Sequence, residues 1–112
     1  MTTNEDSGIQ LRQDELLAAL RALSNPHRLS ILQWLRDPVM HFEEQKVDAT
    51  RYGVCVSSIR KRCEVSQSTA SQFMATLSDA GLVQTTRIGQ WTYFARNEDA
   101  IARFRSSVAS DL

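Results

Sequence analysis

Ser66, Gln67, Ser68, Thr69, Ser71 and Gln72 place six hydrogen-bonding side chains in seven consecutive positions. Glutamine can make a paired contact to adenine N6 and N7, and serine can donate or accept at most base edges. Thr69 can offer its methyl group to a thymine or its hydroxyl to a phosphate. Ser66 and Thr76 are better suited to phosphates, and Arg60, Lys61 and Arg62 form a cationic run just upstream. Arg87 and Gln90, further on, are candidates for an adjacent minor groove or its phosphates. The chemistry on offer is base-edge and phosphate recognition on double-stranded DNA.

These side chains need a helix to present them. Ser66 is a good N-cap, and Ala70, Phe73, Met74 and Leu77 recur at the three-and-four spacing of a buried helical side. Gly81 supplies a stop, so the helix runs from Ser66 to about Ala80, with Leu82 packing back on its last turn. Gln67, Ser68, Ser71 and Gln72 then point away from the buried side. Val56 to about Cys63 reads as a shorter helix, capped by Ser57 or Ser58, with Ile59 inward and a turn at Glu64–Val65. Thr85 to Arg87 and Trp91 to Phe94 read as two strands around a turn at Ile88 to Gln90. Helix, turn, polar-tipped helix and hairpin is the sequence shape of a winged helix-turn-helix.

The flanks supply the packing. Ile9 to Leu23 forms a first helix with Leu16, Leu17, Leu20 and Leu23 on one stripe. Asn25-Pro26 opens a second, with Leu29, Ile31, Leu32 and Leu35 on its apolar side and Trp34 offset. Glu98 to about Val108 is a last helix, striped by Ile101, Phe104 and Val108. The order is four helices, two strands and a fifth helix: mainly α with a small β-hairpin wing. Val39 to Gly53 has no clean periodicity and reads as a long loop or as a loop holding a short helix around Glu43 to Val47. Residues 1–8 read as a flexible polar tail and 9–112 as one domain.

Charge supports a DNA surface through its distribution. The chain has 13 basic and 13 acidic side chains, for a formal net charge of zero. From Met1 to Thr50 five basic residues face eight acidic ones, a net of −3, whereas from Arg51 to Phe94 five face two, a net of +3. The positive excess falls in the reading unit. No apolar run reaches the ~18 residues of a membrane span, and the N-terminus lacks a secretory pattern, so a cytoplasmic location is expected.

Three segments together resemble the ArsR/SmtB bacterial repressors. Ala22 to Leu32 (Ala-Leu-Ser-Asn-Pro-His-Arg-Leu-Ser-Ile-Leu) is similar to that family's second-helix signature. Val65 to Gln72 is similar to the start of its recognition helix, and Ala80 to Val83 followed by Arg87 to Phe94 to its wing. The resemblance spans about Leu16 to Phe104. It implies a homodimeric winged-helix repressor joined through its first and last helices, with Leu11, Leu16, Leu17, Leu20, Ile101, Phe104 and Val108 at the interface. Asp37 to Gly53 is longer than the connection found in metal-sensing members.

Those members also imply sensing sites, and neither is complete here. Cys55 matches the first position of a Cys-x-Cys pair, but Ser57 stands at the second. The last helix offers Glu98, Asp99, Arg103 and Arg105 without histidine. Zinc or a soft metal wants about four N/S ligands, and the chain has two cysteines and two histidines. Cys55, Cys63 and His41 are the remaining candidates for a mixed metal site, and Cys55 with Cys63 for a thiol-redox response. The cysteines are eight apart, about 12 Å along one helix, against the roughly 7 Å limit for a disulfide. No cofactor is called for, and an inducer is left unidentified. No glycine-rich phosphate loop or nucleophile motif supports an enzyme. A winged helix serving only as a protein-interaction module is the other alternative.

Overall fold

A computed structural model describes residues 10–112. Helix α1 spans Gln13–Leu23, α2 Pro26–Trp34, α3 Pro38–His41 and α4 Ala49–Tyr52. A two-residue strand, β1 (Val54–Cys55), runs directly into α5 (Val56–Cys63), and α6 follows at Gln67–Asp79. Strands β2 (Val83–Ile88) and β3 (Trp91–Arg96) form the wing, and α7 (Glu98–Asp111) closes the chain. Mainly helical with a β-hairpin wing, this is the winged helix-turn-helix expected from the sequence, with two extra short helices and one extra strand.

Local chemistry sets most boundaries. The Asn25 side chain accepts from Arg28 N–H at 3.0 Å with Pro26 at the first helical position, which opens α2. The Asn97 side chain opens α7 in the same way, accepting from Ala100 N–H at 3.1 Å. That helix runs to Asp111, three residues past the expected Val108. Helix α1 starts at Gln13, later than the expected Ile9, which lies outside the described residues. Its start is held by an unusual cap, Arg12 N–H donating to the Glu15 carboxylate at 2.9 Å.

Other expectations need correction. Glu43 to Val47 is not helical; the short helices lie on either side of it, one begun by Pro38 and the other by the Asp48 cap, which accepts from Thr50 N–H at 2.9 Å. Neither Ser57 nor Ser58 caps α5. Cys55 takes that place without a side-chain bond, and Ser58 is buried inside the helix. Val54 and Cys55 pair antiparallel with Phe94 and Tyr93, giving the sheet order β1-β3-β2. Leu29, expected on the inner side of α2, is exposed.

One core joins the elements. Ile31 and Leu32 of α2, Ile59 of α5, Met74 and Leu77 of α6, and Val54 and Phe94 of the sheet are all buried in it. Helix α6 ends in a two-bond turn: Leu82 N–H donates to Leu77 O at 3.0 Å and Gly81 N–H to Ser78 O at 2.9 Å. Gly81 takes φ +79° there, as the left-handed C-terminal position of this motif requires. Gly53, at φ +96°, sits so close to the wing that an added Cβ would lie 2.1 Å from the Phe94 carbonyl oxygen.

The two glycines should therefore respond differently. Gly81→Ala meets open space and pays only for its left-handed backbone, about 1–2 kcal/mol. Gly53→Ala must also push β3 away, and is expected to cost more than Gly81→Ala, roughly 3 kcal/mol or above. Urea denaturation of the two variants checks the order.

Candidate nucleic-acid interface

Helix α6 has two chemically distinct sides. Ala70, Met74 and Leu77 are buried in the core, and Phe73 is half-buried against it. The His27 ring of α2 stacks on Phe73 at 5.2 Å between centroids, so that exposed histidine is engaged with α6. Gln67, Ser68, Ser71 and Gln72 all lie on the exposed side, with Thr69 and Thr76 at its margins. The Ser66 hydroxyl accepts from Thr69 N–H at 3.1 Å and donates to Thr69 Oγ1 at 2.9 Å. This cap also fixes where the exposed row begins. The Thr76 hydroxyl donates to Gln72 O at 3.1 Å.

Helix α5 leads into α6 through Glu64, whose left-handed backbone (φ 59°) turns the chain. Arg60, Lys61 and Arg62 occupy the last turn of α5, where cations complement the helix dipole. The fold partitions them. Lys61 Nζ lies 3.0 Å from Glu43 Oε2. The Arg62 guanidinium sits 4.2 Å above the Trp34 ring and donates through Nε to His41 O at 3.1 Å. Trp34 meets Phe42 edge-on at 6.3 Å. Thus two of the three cations anchor the Asp37–Gly53 segment to the helix-turn-helix, and Arg60 takes no part in these contacts. Within the segment, the Gln45 amide donates to Gly53 O at 2.7 Å and closes the loop on itself.

The wing is a regular antiparallel hairpin from Val83 paired with Arg96 to Ile88 paired with Trp91, closed by Gly89 and Gln90. Arg87 and Gln90 are both exposed at its outer end. Ile88 and Trp91 are exposed beside them. Trp91 sits next to the hairpin turn, where side chains project beyond the core.

The remaining candidates are scattered. Leu11 is half-buried and its N–H donates to the buried Ser107 hydroxyl at 2.8 Å, tying the start of α1 to α7. Leu16 and Ile101 are buried within the chain itself, Leu17 and Leu20 are 43% and 39% exposed, and Phe104 and Val108 are half-buried. Cys55 lies 3.5 Å from the Ser58 hydroxyl, while Cys63 is buried and its thiol is pushed up by that burial. Among the described residues no three His, Cys, Asp or Glu side chains stand close enough to hold a metal ion, so Cys55, Cys63 and His41 are not gathered with others into such a group. Among the same residues no helix is long and apolar enough to cross a membrane.

A helix-turn-helix with a polar outer face, followed by a β wing, defines a DNA-binding transcription factor. No protein-family model matches the chain. It is 41% identical over 99 residues to an uncharacterized HTH-type transcriptional regulator, YbzH of Bacillus subtilis (strain 168), covering 88% of this chain and 99% of that one. An ArsR family transcriptional regulator aligns over 91% of both chains with a TM-score of 0.68 at 17% identity. An ArsR-like regulator from Rhodococcus sp. RHA1 covers 86% of this chain and 77% of its own, with a TM-score of 0.64 at 20% identity. A homodimeric winged helix-turn-helix DNA-binding domain from Mycobacterium bovis covers 98% and 88%, with a TM-score of 0.62 at 23% identity. The chain belongs to the HTH-type transcriptional regulators, and it shares its fold with solved ArsR-family regulators.

Ser66→Ala removes the cap that aligns the exposed row. The expected loss is about 1 kcal/mol of stability, read from the shift in the denaturation midpoint.

Proposed function

We propose that this regulator is a repressor that binds an inverted-repeat operator as a homodimer. In this reading the first turns of α6 enter the major groove, where Gln67, Ser68, Ser71 and Gln72 meet base edges. Ser66, Thr69, Thr76, Arg60 and Lys61 face phosphates, with Lys61 exchanging Glu43 for the backbone, while Arg62, also expected at the DNA, is held over Trp34 and by His41 O and braces α5 instead. Arg87 and Gln90 of the wing lie on the adjacent minor groove or its phosphates. The observation that carries the reading is the exposed polar row on a helix whose other side is locked in the core.

Dimerisation through α1 and α7 is supported by the exposed Leu17 and Leu20 on α1, which leave apolar surface unburied in a single chain. In this reading Leu11, Phe104 and Val108, half-buried in the single chain, join the interface, with the buried Leu16 and Ile101 behind them. The Mycobacterium bovis neighbour is itself homodimeric. Two copies related by a two-fold axis would read half-sites about one helical turn apart, or a small multiple of it.

Footprinting on the DNA upstream of the chain's own gene should show a protected inverted repeat, and affinity should fall log-linearly with salt. Protection of a single half-site by a monomer would overturn the dimeric reading. A protein-interaction module would protect nothing. Gln72→Ala is expected to lower operator affinity by about 1–3 kcal/mol and to relax preference at one base position. Arg87→Ala should weaken operator and random DNA to a similar degree. Equal losses on both DNAs for Gln72→Ala would remove its base-reading role.

A further inference from the structure

The chain has two tryptophans, and the fold uses them differently. Trp34 packs against the Arg62 guanidinium and the Phe42 ring. Trp91 is 54% exposed, and among the described residues it enters no aromatic pair and no cation–π contact. Its cross-strand partner Ile88 is exposed as well. A covered aromatic side chain buries roughly 150–250 Å², so an indole left in water is a large unused contact surface.

The hairpin carries this pair away from the body of the molecule. Arg96 marks where the wing joins it, donating to Leu32 O at 3.0 Å and holding Glu98 at 2.8 Å. Trp91 stands at the other end of β3, about 17 Å further out at the usual rise of a strand. A dimer seam through α1 and α7 therefore leaves it uncovered. The pairing from Val83 with Arg96 to Ile88 with Trp91 holds the tip in place, and Tyr93, next along the same face as Trp91, is buried. Strand alternation gives the tip two faces. Ile88 and Trp91 share one, while Arg87 and Thr92 share the other. Arg87 suits a phosphate. The Ile88–Trp91 face gains nothing from phosphates and needs an apolar surface, which a duplex offers in its sugars and in the faces of its bases.

We infer that Trp91, backed by Ile88, is a wedge that enters the minor groove and opens a base step while Arg87 holds the adjacent phosphate. The inference rests on the reading that the wing lies on DNA beside the half-site taken by α6. Apolar side chains inserted between base pairs unstack them and kink the duplex toward the major groove. Pyrimidine–purine steps open at the least cost, so Trp91 selects sequence through deformability, at positions where no side chain makes a hydrogen bond to a base.

Binding-site selection from a random duplex pool, with the full chain and its Trp91→Ala variant, tests the inference. Duplexes selected by the parent should carry TA or CA/TG at a fixed position flanking each half-site. Trp91→Ala should lose that enrichment and keep the half-site itself. On a parent-selected duplex Trp91→Ala should bind about tenfold less tightly, and Trp91→Phe should keep most of the affinity. The salt slope should be unchanged in Trp91→Ala, because an indole releases no counterions, whereas Arg87→Ala should make it shallower by about one. The fluorescent adenine analogue 2-aminopurine, placed at the flanking step, should brighten when the parent binds and stay dim with Trp91→Ala. Both Trp91 variants should keep the circular dichroism of the parent, since the side chain is exposed. A selected duplex bound equally by parent and Trp91→Ala would overturn the wedge alone, whereas failure to select any duplex would overturn it together with the DNA reading. A shallower salt slope in Trp91→Ala would overturn it by showing that Trp91 merely supports Arg87. A parent complex that leaves 2-aminopurine dim would overturn it in favour of an indole resting on the sugars.

Discussion

The two-residue pairing of β1 with β3 sets the geometry on which the DNA-facing surface depends. Val54 and Cys55 hydrogen-bond beside Phe94 and Tyr93, and α5 begins at the very next residue. The start of the helix-turn-helix is therefore fastened to the inner strand of the wing. Because α6 follows α5 through one tight turn at Glu64, the distance from reading helix to wing is fixed by backbone pairing. Only a residue without a Cβ permits this approach at position 53, where the chain runs against the Phe94 carbonyl. Burial of Val54 and Phe94 then seals the junction from water, which keeps its hydrogen bonds from exchanging with solvent.

A second set of contacts binds the periphery to this frame. Arg62 lies over Trp34 and reaches His41 O, so a cation at the end of α5 spans α2 and the segment that follows it. Arg96 does the same at the other side, linking the end of β3 to an α2 carbonyl and to α7. Arg96 uses its planar head as a multi-point hydrogen-bond donor, and Arg62 combines one hydrogen bond with a face laid on the Trp34 ring, arrangements that lysine could not match. Surface ion pairs such as Lys61 with Glu43 add little energy by comparison and chiefly bias position.

The readable parts of the fold were those encoded locally. Asn25-Pro26, Ser66 and Gly81 mark helix ends by chemistry that acts within a few residues, and each end lies where those residues place it. The periodicity of Ala70, Met74 and Leu77 likewise separated the inner from the outer side of α6. Strand β1 was not legible, because two residues carry no period and their partner lies some forty positions away. Helices α3 and α4 are single turns, too short for an apolar stripe to form. Arg12 gave no sign of a helix start, since the usual caps are small oxygen-bearing side chains. Lys61 and Arg62 read as a cationic run; their intramolecular partners, Glu43, Trp34 and His41, come from distant sequence and emerge only in three dimensions.

The division of α6 into a core side and a polar side bears on how such a protein changes over generations. Gln67, Ser68, Ser71 and Gln72 contribute nothing to the core, and substitutions at exposed helical positions usually alter stability by no more than about 0.5 kcal/mol. Their replacement leaves the cap at Ser66, the packing of Met74 and Leu77 and the tie to the wing intact. Lineages carrying this scaffold can therefore explore new recognition sequences along a nearly neutral path, with fold and target drifting apart from one another.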